Sequence, residues 1–241
     1  MENNVLTIAS WNCRNGLGKE KAKVILEKFP KTDIFVIQEC KREDIYVFEG
    51  DWKFKNWYGD DQEYSDLGIA VFSRKHEMEF TDTFNRKYRY VVPYKVTVNK
   101  KSLALFAVWT KPVPVSYDKN VTEAVHLPEY KELISSNAII IGDFNTGRSD
   151  DYPERYDDLC KNLSGFQNSA HGKPEKFIET FYSYSKNKLY LNDFCFVSEA
   201  LCTNTKEIKI EVDNDWKDNA SGQKSWRGLS DHCPINVEFI F

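Results

Sequence analysis

A chain of 241 residues, 41% of them apolar and 15% aromatic, can bury a sizeable core, which excludes a disordered protein. Its net charge of −4 and its pI of about 5.7 argue against broad electrostatic adhesion to nucleic acid. An enzyme that acts on nucleic acid stays open, because a local metal site can meet phosphate without a basic surface.

The sequence carries no signal for a membrane or for secretion. No apolar stretch approaches the length of a membrane span, and the N-terminus lacks the basic and apolar regions of a signal peptide. The six cysteines form no Cys-x-x-Cys pair and show no zinc-like spacing, so we expect reduced, structural thiols. We expect a cytoplasmic protein and a monomer.

The first elements predict a strand–helix–strand unit. Residues 5–11 alternate apolar with small or polar side chains, as a strand does, and the strand ends at Asn12. From Gly18 to Pro30 the apolar residues fall at helical spacing, and residues 34–37 form a second strand with Glu39 at its end. Because such a crossover is right-handed and parallel, Asn12 and Glu39 should emerge at the same end of neighbouring strands.

The middle of the chain predicts further strands. Residues 52–58 and 67–73 have strand patterns, and residues 91–98 and 103–109 flank a turn at 99–102 as in a β-hairpin. A short helix at 128–134, with proline in its first turn, precedes the apolar run Ala-Ile-Ile-Ile at 138–141. That run predicts a strand buried on both faces.

Two polar residues, Asp143 and Asn145, follow this buried strand with one residue between them. Residues two apart on a strand point to the same side, so a carboxylate and a carboxamide would stand together at the rim of the sheet. The alternative is an ordinary turn, since Asp and Asn are common turn residues.

The last third predicts a helix at 152–163 and strands at 191–198, 208–212 and 235–241. The sequence contains no internal repeat and no linker long enough to divide it. We therefore expect one α/β domain that spans residues 1–241.

Polar residues stand at five predicted strand ends: Asn12; Glu39; Asp143 with Asn145; Asp193; and Asp231 with His232. Carboxylates combined with an asparagine amide are hard oxygen donors, which suit Mg²⁺ or Mn²⁺ rather than zinc. Five such strand ends together indicate a metal and phosphate site.

Six short motifs resemble those of the endonuclease/exonuclease/phosphatase superfamily, and they occur in the family's order from Trp11 to Pro234: Trp11-Asn12, Ile37-Gln38-Glu39, Gly-Ile-Ala-Val-Phe-Ser-Arg at 68–74, Ile-Gly-Asp-Phe-Asn at 141–145, Asn192-Asp193-Phe194 and Ser-Asp-His-Cys-Pro at 230–234. The resemblance implies a four-layered α/β sandwich of two packed mixed β-sheets flanked by helices. It also implies an active site at one edge of the sheets.

The same resemblance implies a metal site. Glu39 would be the main metal ligand, with Asn12 beside it and Asp231 near the metal. The ion would be Mg²⁺ or Mn²⁺.

The resemblance implies catalytic roles for four further residues. Asp143 would position or deprotonate the attacking water, and Asn145 would hold a phosphate oxygen. His232, oriented by Asp193, would stabilise the transition state. Elementary chemistry supports these roles, since water that attacks a phosphodiester needs a base and stabilisation of the phosphoryl oxygens.

Two basic residues are candidates for substrate binding. Members of the family often place a histidine or tyrosine after the strand at 103–109, where this chain has Trp109-Thr110-Lys111. Lys111 could supply a substitute positive charge, or it could be a solvated loop lysine. Arg227, just before the Ser-Asp-His motif, could reach a phosphate.

Three functions remain open at this point. The first, which we favour, is a divalent-metal-dependent phosphoesterase that cleaves a phosphodiester bond in DNA or RNA, as an endonuclease or an exonuclease. The second is a phosphatase or phosphodiesterase of a small or lipid-derived phosphate, and the third is a non-catalytic binding protein. The acidic balance favours a small substrate. The basic and aromatic cluster at residues 86–90 favours single-stranded nucleic acid, unless it is only a solvated edge.

Overall fold

The computed structural model describes residues 5–59, 66–81, 85–88, 90–111, 117–134, 137–146, 154–168, 178–218 and 220–241. The strands in chain order are β1 Val5–Asn12, β2 Ile34–Lys41, β3 Phe54–Gly59, β4 Leu67–Ser73, β5 Met78–Phe80, β6 Val91–Val98, β7 Lys101–Trp109, β8 Ala138–Asp143, β9 Phe166–Asn168, β10 Phe181–Ser183, β11 Lys188–Tyr190, β12 Asp193–Ser198, β13 Glu207–Val212, β14 Trp216–Asp218, β15 Lys224–Trp226 and β16 Ile235–Ile240. The helices are α1 Gly18–Lys28, α2 Tyr117–Ala124, α3 Pro128–Ile134, α4 Glu154–Asn162 and α5 Glu199–Thr203.

Twelve of these strands form two mixed sheets of six. The first sheet has the order β13-β16-β1-β2-β4-β3 and the second the order β5-β6-β7-β8-β12-β9. Each sheet contains one parallel pair at its centre, β1 with β2 and β7 with β8. Since both members of a parallel pair end on the same edge, each sheet directs two strand ends to one edge.

Three separate apolar clusters show that the molecule has four layers. The largest cluster lies between the two sheets and includes Ile8, Val36 and Ile141. A second cluster packs the outer face of the second sheet against α2, α3 and α4, and a third packs the outer face of the first sheet against α1. A sheet that is apolar on both faces needs a cover on both. The predicted four-layered α/β sandwich is therefore confirmed.

The long elements lie where their periodicity predicts them. The parallel crossover from β1 through α1 to β2 is confirmed. The hairpin turn is tighter than predicted, because only Asn99 and Lys100 connect β6 and β7, both with positive φ (50° and 66°). Two-residue hairpin turns favour such conformations.

Gly142 shows why the end of β8 has its sequence. Its φ is 151°, and a Cβ at this position would overlap the carbonyl oxygen of Val108 on the neighbouring strand β7. Only glycine permits this close approach of two backbones. The approach brings the end of β8, with Asp143, against the end of β7.

None of the helices in the described ranges combines the length and the apolar run that crossing a bilayer requires.

Candidate active site

The side-chain amide of Asn12 links the two sheets at the edge where the parallel strands end. Asn12, the last residue of β1, donates from Nδ2 to Glu39 Oε1 at 3.1 Å and to Asp143 Oδ2 at 2.9 Å. The Oδ1 atom of Asn12 accepts the backbone N–H of Arg14 at 3.0 Å. The residues that the sequence places on three separate strands are thus brought together.

Glu39 reaches this position through a β-bulge. The register of β2 against β4 shifts between Gln38 and Cys40, and Glu39 adopts a φ of 54°. Its second oxygen accepts the backbone N–H of Asn15 at 3.0 Å. A bulge re-aims a side chain that regular strand geometry would direct elsewhere.

Unusual backbone conformations concentrate at this edge. Of the nine non-glycine residues with positive φ in the described ranges, four lie here: Arg14, Asn15, Glu39 and Asn145. Such conformations cost free energy and cluster at functional sites, where the surrounding contacts enforce them.

Asp143 is fully buried at the centre of the cluster. Asn145 donates to it twice, from its backbone N–H to Oδ1 at 2.8 Å and from Nδ2 to Oδ2 at 2.9 Å. Asn145 Nδ2 also donates to the Thr110 carbonyl at 3.1 Å. Burial raises the pKa of Asp143 to about 7, although the positive charge of His232 and the bonds from Asn12 and Asn145 oppose the shift. A carboxyl group that titrates near neutral pH is suited to accept a proton.

His232 and Asp193 form a buried pair beside Asp143. The imidazole Nδ1 lies 2.9 Å from Asp193 Oδ2, and Nε2 lies 3.9 Å from Asp143 Oδ2. Burial alone would lower the pKa of His232, but the charges of Asp193 and Asp143 outweigh it and raise the pKa to about 10. The imidazole is therefore a cation at neutral pH.

Backbone contacts fix this pair from two sides. The Thr180 hydroxyl accepts the N–H of Asp193 at 3.0 Å, and Trp11 Nε1 donates to the His232 carbonyl at 3.1 Å. Ser230 Oγ donates to the Asn12 carbonyl at 2.8 Å. The segment with His232 is thus tied to the end of β1.

Asp231 lies on the outer side of His232. Its Oδ2 is 3.6 Å from Nε of Arg14. Burial is the main cause that raises the pKa of Asp231, and the negative charge of Glu39 adds to it, while His232 and Arg14 oppose it. The two carboxylates predicted at the metal therefore repel each other across the site.

A buried carboxylate, Asp44, holds the loop between β1 and α1 in place. Asp44 accepts the backbone N–H groups of Leu17 at 2.7 Å, Gly18 at 3.1 Å and Lys41 at 3.0 Å. The loop that contains Asn15 is thereby joined to the end of β2 that contains Glu39. The sequence gives no signal for this role, since Asp44 lies outside every predicted strand end.

Lys111 and Arg227 occupy different surroundings. Lys111 follows Thr110, whose carbonyl bonds Asn145, and its Nζ lies 4.2 Å from the centre of the Trp109 ring. Arg227 instead forms ion pairs with Asp213 at 3.2 Å and Asp215 at 3.4 Å. The ammonium of Lys111 thus lies over aromatic rings next to the residue that bonds Asn145, whereas Arg227 is engaged by two carboxylates.

The basic and aromatic cluster at 86–90 does not form an open groove in its described part. Tyr88 and Tyr90 are buried, and Lys87 lies 3.6 Å from Glu123. The residue Arg89 and the side chain of Arg86 lie outside the described residues. This arrangement favours the interpretation of the cluster as a solvated edge rather than as a groove for single-stranded nucleic acid.

Two residues beside the site were missed by sequence reasoning. Arg14 lies in the loop after β1, and Tyr184 lies in the turn between β10 and β11. Arg14 Nη1 donates to the Tyr184 hydroxyl at 2.6 Å. The only available signal was a basic residue two positions after Asn12.

Solved structures, but no related sequences, show which known proteins share this fold. No protein-family model matches the sequence, and a search of curated proteins finds no match. Solved structures do match, and they show that this chain has the endonuclease/exonuclease/phosphatase fold that its motifs predict.

Three of these solved structures illustrate the likeness. An endonuclease/exonuclease/phosphatase family protein from Bacteroides thetaiotaomicron is 20% identical, over 100% of this chain and 99% of that one, with a TM-score of 0.65. The AP endonuclease LMAP from Leishmania major is 13% identical, over 98% and 88%, with a TM-score of 0.69. The 3′ phosphatase NExo from Neisseria, bound to a product DNA hairpin, is 18% identical, over 98% and 100%, with a TM-score of 0.58.

Proposed function

We propose that this chain is a divalent-metal-dependent phosphoesterase that hydrolyses a phosphodiester bond in nucleic acid. The observation that carries this proposal is the arrangement of Asp143 beside the hydrogen-bonded pair of His232 and Asp193. One nitrogen or oxygen atom from each of these three buried residues lies within 4.8 Å of the others, so a base and a cationic imidazole meet at one point. The descriptions of two proteins with this fold, an AP endonuclease and a 3′ phosphatase bound to DNA, support the same class of reaction.

The donor set fits a hard divalent cation. Four carboxylates lie at this edge, those of Glu39, Asp143, Asp193 and Asp231, against three positive side chains, His232, Arg14 and Lys21. Asp193 Oδ1 is buried and has no hydrogen-bond partner among the described residues. In a site with this excess of negative charge, a cation relieves the repulsion between carboxylates.

Glu39 and Asp231 would hold Mg²⁺ or Mn²⁺ in this proposal. Asn12 would lie beside the ion and keep Glu39 and Asp143 apart through its hydrogen bonds to both. When bound, such an ion supplies neutralisation of phosphoryl charge and a lower pKa of coordinated water. Both sheets contribute to the site, and the proposal therefore treats residues 1–241 as one domain.

The protein side chains supply the remaining chemistry. Asp143, with its pKa near 7, accepts a proton from the attacking water. The imidazolium of His232 stabilises the negative charge that grows on the phosphoryl oxygens, and Asp193 holds its ring. Asn145 orients Asp143 through two hydrogen bonds, and to hold a phosphate oxygen its Nδ2 would exchange the bond that it donates to the Thr110 carbonyl.

A second candidate is hydrolysis of a small or lipid-derived phosphate. The net charge of −4 favours it, because a long polyanion would be repelled by the surface as a whole. A non-catalytic binding protein is a third candidate, and the buried arrangement of Asp143, Asp193 and His232 weighs against it.

A panel of substrates with Mg²⁺ separates these candidates. We expect cleavage of a DNA or RNA oligonucleotide and of bis(p-nitrophenyl) phosphate, and slower hydrolysis of p-nitrophenyl phosphate. Preferred hydrolysis of the monoester would support the second candidate. Absence of turnover on every substrate would refute the proposal.

A further inference from the structure

Arg14 is held rigidly beside the site while remaining accessible. Its guanidinium lies 4.4 Å from the centre of the Tyr184 ring, donates to the Tyr184 hydroxyl at 2.6 Å and pairs with Asp231 at 3.6 Å. Even so, 40% of its side chain is exposed. A fixed, exposed guanidinium is well suited to bind a phosphate group.

The hairpin of β10 and β11 contacts both Arg14 and the segment that contains His232. Phe181 lies 4.6 Å from the His232 imidazole, centre to centre, and the backbone N–H of Tyr182 donates to the Asp231 carbonyl at 2.8 Å. Tyr184, which holds Arg14, follows on the same hairpin. Among the described residues the Arg14 side chain contacts Asp231 and Tyr184 but not His232, so it lies next to the residue that precedes the imidazole in the chain.

Donors of Arg14 remain for a ligand. A guanidinium has five N–H groups in a planar fork. The contacts that the described residues make with the Arg14 side chain use Nη1 and Nε, and those residues leave Nη2 to solvent or to a ligand.

We infer that Arg14, held by Tyr184 and Asp231, binds the phosphate next to the scissile one in a single strand of nucleic acid. This inference rests on the proposed function and narrows its substrate class, because a simple phosphomonoester offers no second phosphate. Among the described residues neither Arg14 nor Tyr184 contacts Asp143 or His232, so we assign them to binding and specificity.

Calorimetry with two nucleotides tests the inference directly. Thymidine 3′,5′-bisphosphate contains two phosphates spaced as in a single strand, and thymidine 5′-monophosphate contains one. The wild-type protein should bind the bisphosphate at least about tenfold more tightly, as expected for one added charge-assisted phosphate contact. Arg14→Ala should reduce this ratio to about twofold or less. Tyr184→Phe, which keeps the ring and removes the hydroxyl, should give a ratio between those of the wild-type protein and Arg14→Ala.

Arg74→Ala is the matched control. Arg74 also lies over an aromatic ring, 5.2 Å from the centre of Trp52, and its backbone N–H donates to Asp33 at the opposite end of β2 from Glu39. This variant should keep the wild-type ratio of affinities.

A kinetic comparison distinguishes substrate binding from a merely structural role. Arg14→Ala should lose at least about ten times more kcat/KM on an oligonucleotide than on bis(p-nitrophenyl) phosphate, which has a single phosphate. Equal losses on both substrates, or equal affinity of the wild-type protein for the two nucleotides, would overturn the inference, because Arg14 would then only hold Asp231. If the wild-type protein hydrolyses neither substrate, the proposed function fails, and the ratio of nucleotide affinities alone decides the inference.

Discussion

His232 and Asp193 lie 39 positions apart in the sequence, yet a hydrogen bond of 2.9 Å joins them in the buried interior. The bond connects the start of β12 with the segment just before β16. Because Asp193 holds one imidazole nitrogen, the other is turned toward Asp143, 3.9 Å away. The two residues should therefore act in catalysis as one unit.

This pairing predicts strongly non-additive mutations. His232→Ala should lower kcat by about a hundredfold or more, by analogy with the loss of other groups that stabilise transition-state charge. Asp193→Asn should act in the same direction, and the double variant should be little worse than His232→Ala. Steady-state kinetics of the three variants checks this. Strict additivity of the two effects on kcat would show that the two residues act independently. A His232→Ala protein with a lowered melting temperature and the wild-type kcat would assign His232 a structural role.

The metal assignment predicts a contrast between Glu39 and Asp193. Glu39→Gln should weaken Mg²⁺ binding by at least about tenfold, because it removes a charged ligand. Asp193→Asn should leave Mg²⁺ affinity close to that of the wild-type protein, since Asp193 acts on His232. Calorimetric titration with Mg²⁺ measures both affinities. The opposite pattern would place the ion among Asp143, Asp193 and His232 instead.

Asp44 should be essential for the loop that positions Glu39. Asp44→Ala removes the acceptor of three backbone N–H groups and should lower the free energy of unfolding by about 3 kcal/mol. Asp44→Asn keeps one acceptor oxygen and should lose less. Urea denaturation measures both changes, and Mg²⁺ affinity should fall in the same order. Wild-type stability of the alanine variant would contradict this role.

Much of the fold was predictable because its elements have simple periodicity. The strands β1, β2 and β8 are long apolar or alternating runs, and the polar residues at their ends mark the edge of the sheets. The parallel crossover alone predicts that Asn12 and Glu39 meet, and the structure confirms it with a hydrogen bond of 3.1 Å. Strand periodicity and topology are local properties that a sequence displays.

The remaining features depend on contacts that no periodicity records. The bulge at Glu39 requires a backbone with positive φ. Because glutamate rarely adopts positive φ, the residue type gives no signal of the bulge. Three-residue strands such as β10 and β11 are too short to show a pattern, and so the hairpin that contains Tyr184 was not predicted. The engagement of Arg227 by Asp213 and Asp215 likewise depends on tertiary packing.

The stability of the protein should depend on pH through Asp33, which lies at the opposite end of β2 from Glu39. Burial alone would raise its pKa, but contacts with His76, Lys75 and Thr7 outweigh burial and lower the pKa to about 2. A lowered folded-state pKa stabilises the protein above the unfolded pKa of 3.8, and this stability is lost as the pH falls through about 2. Above pH 4 this shift contributes about 2 kcal/mol to the free energy of unfolding.

Thermal melting between pH 2 and 6 checks this contribution. The wild-type melting temperature should fall on acidification below pH 4, and Asp33→Asn should start lower and show a flatter acid limb. Parallel acid limbs for the two proteins would contradict the assignment to Asp33.

The hydrolysis of bis(p-nitrophenyl) phosphate by the wild-type protein and by Asp143→Asn, with Mg²⁺ and with excess EDTA, tests the central claim most directly. We expect steady release of p-nitrophenol by the wild-type protein with Mg²⁺ and none with EDTA. Asp143→Asn should reduce kcat by at least about a hundredfold, as the loss of a general base does, while its melting temperature stays close to that of the wild-type protein. Full turnover in excess EDTA, or an Asp143→Asn protein with the wild-type kcat, would contradict a metal-dependent phosphoesterase that uses Asp143 as its base.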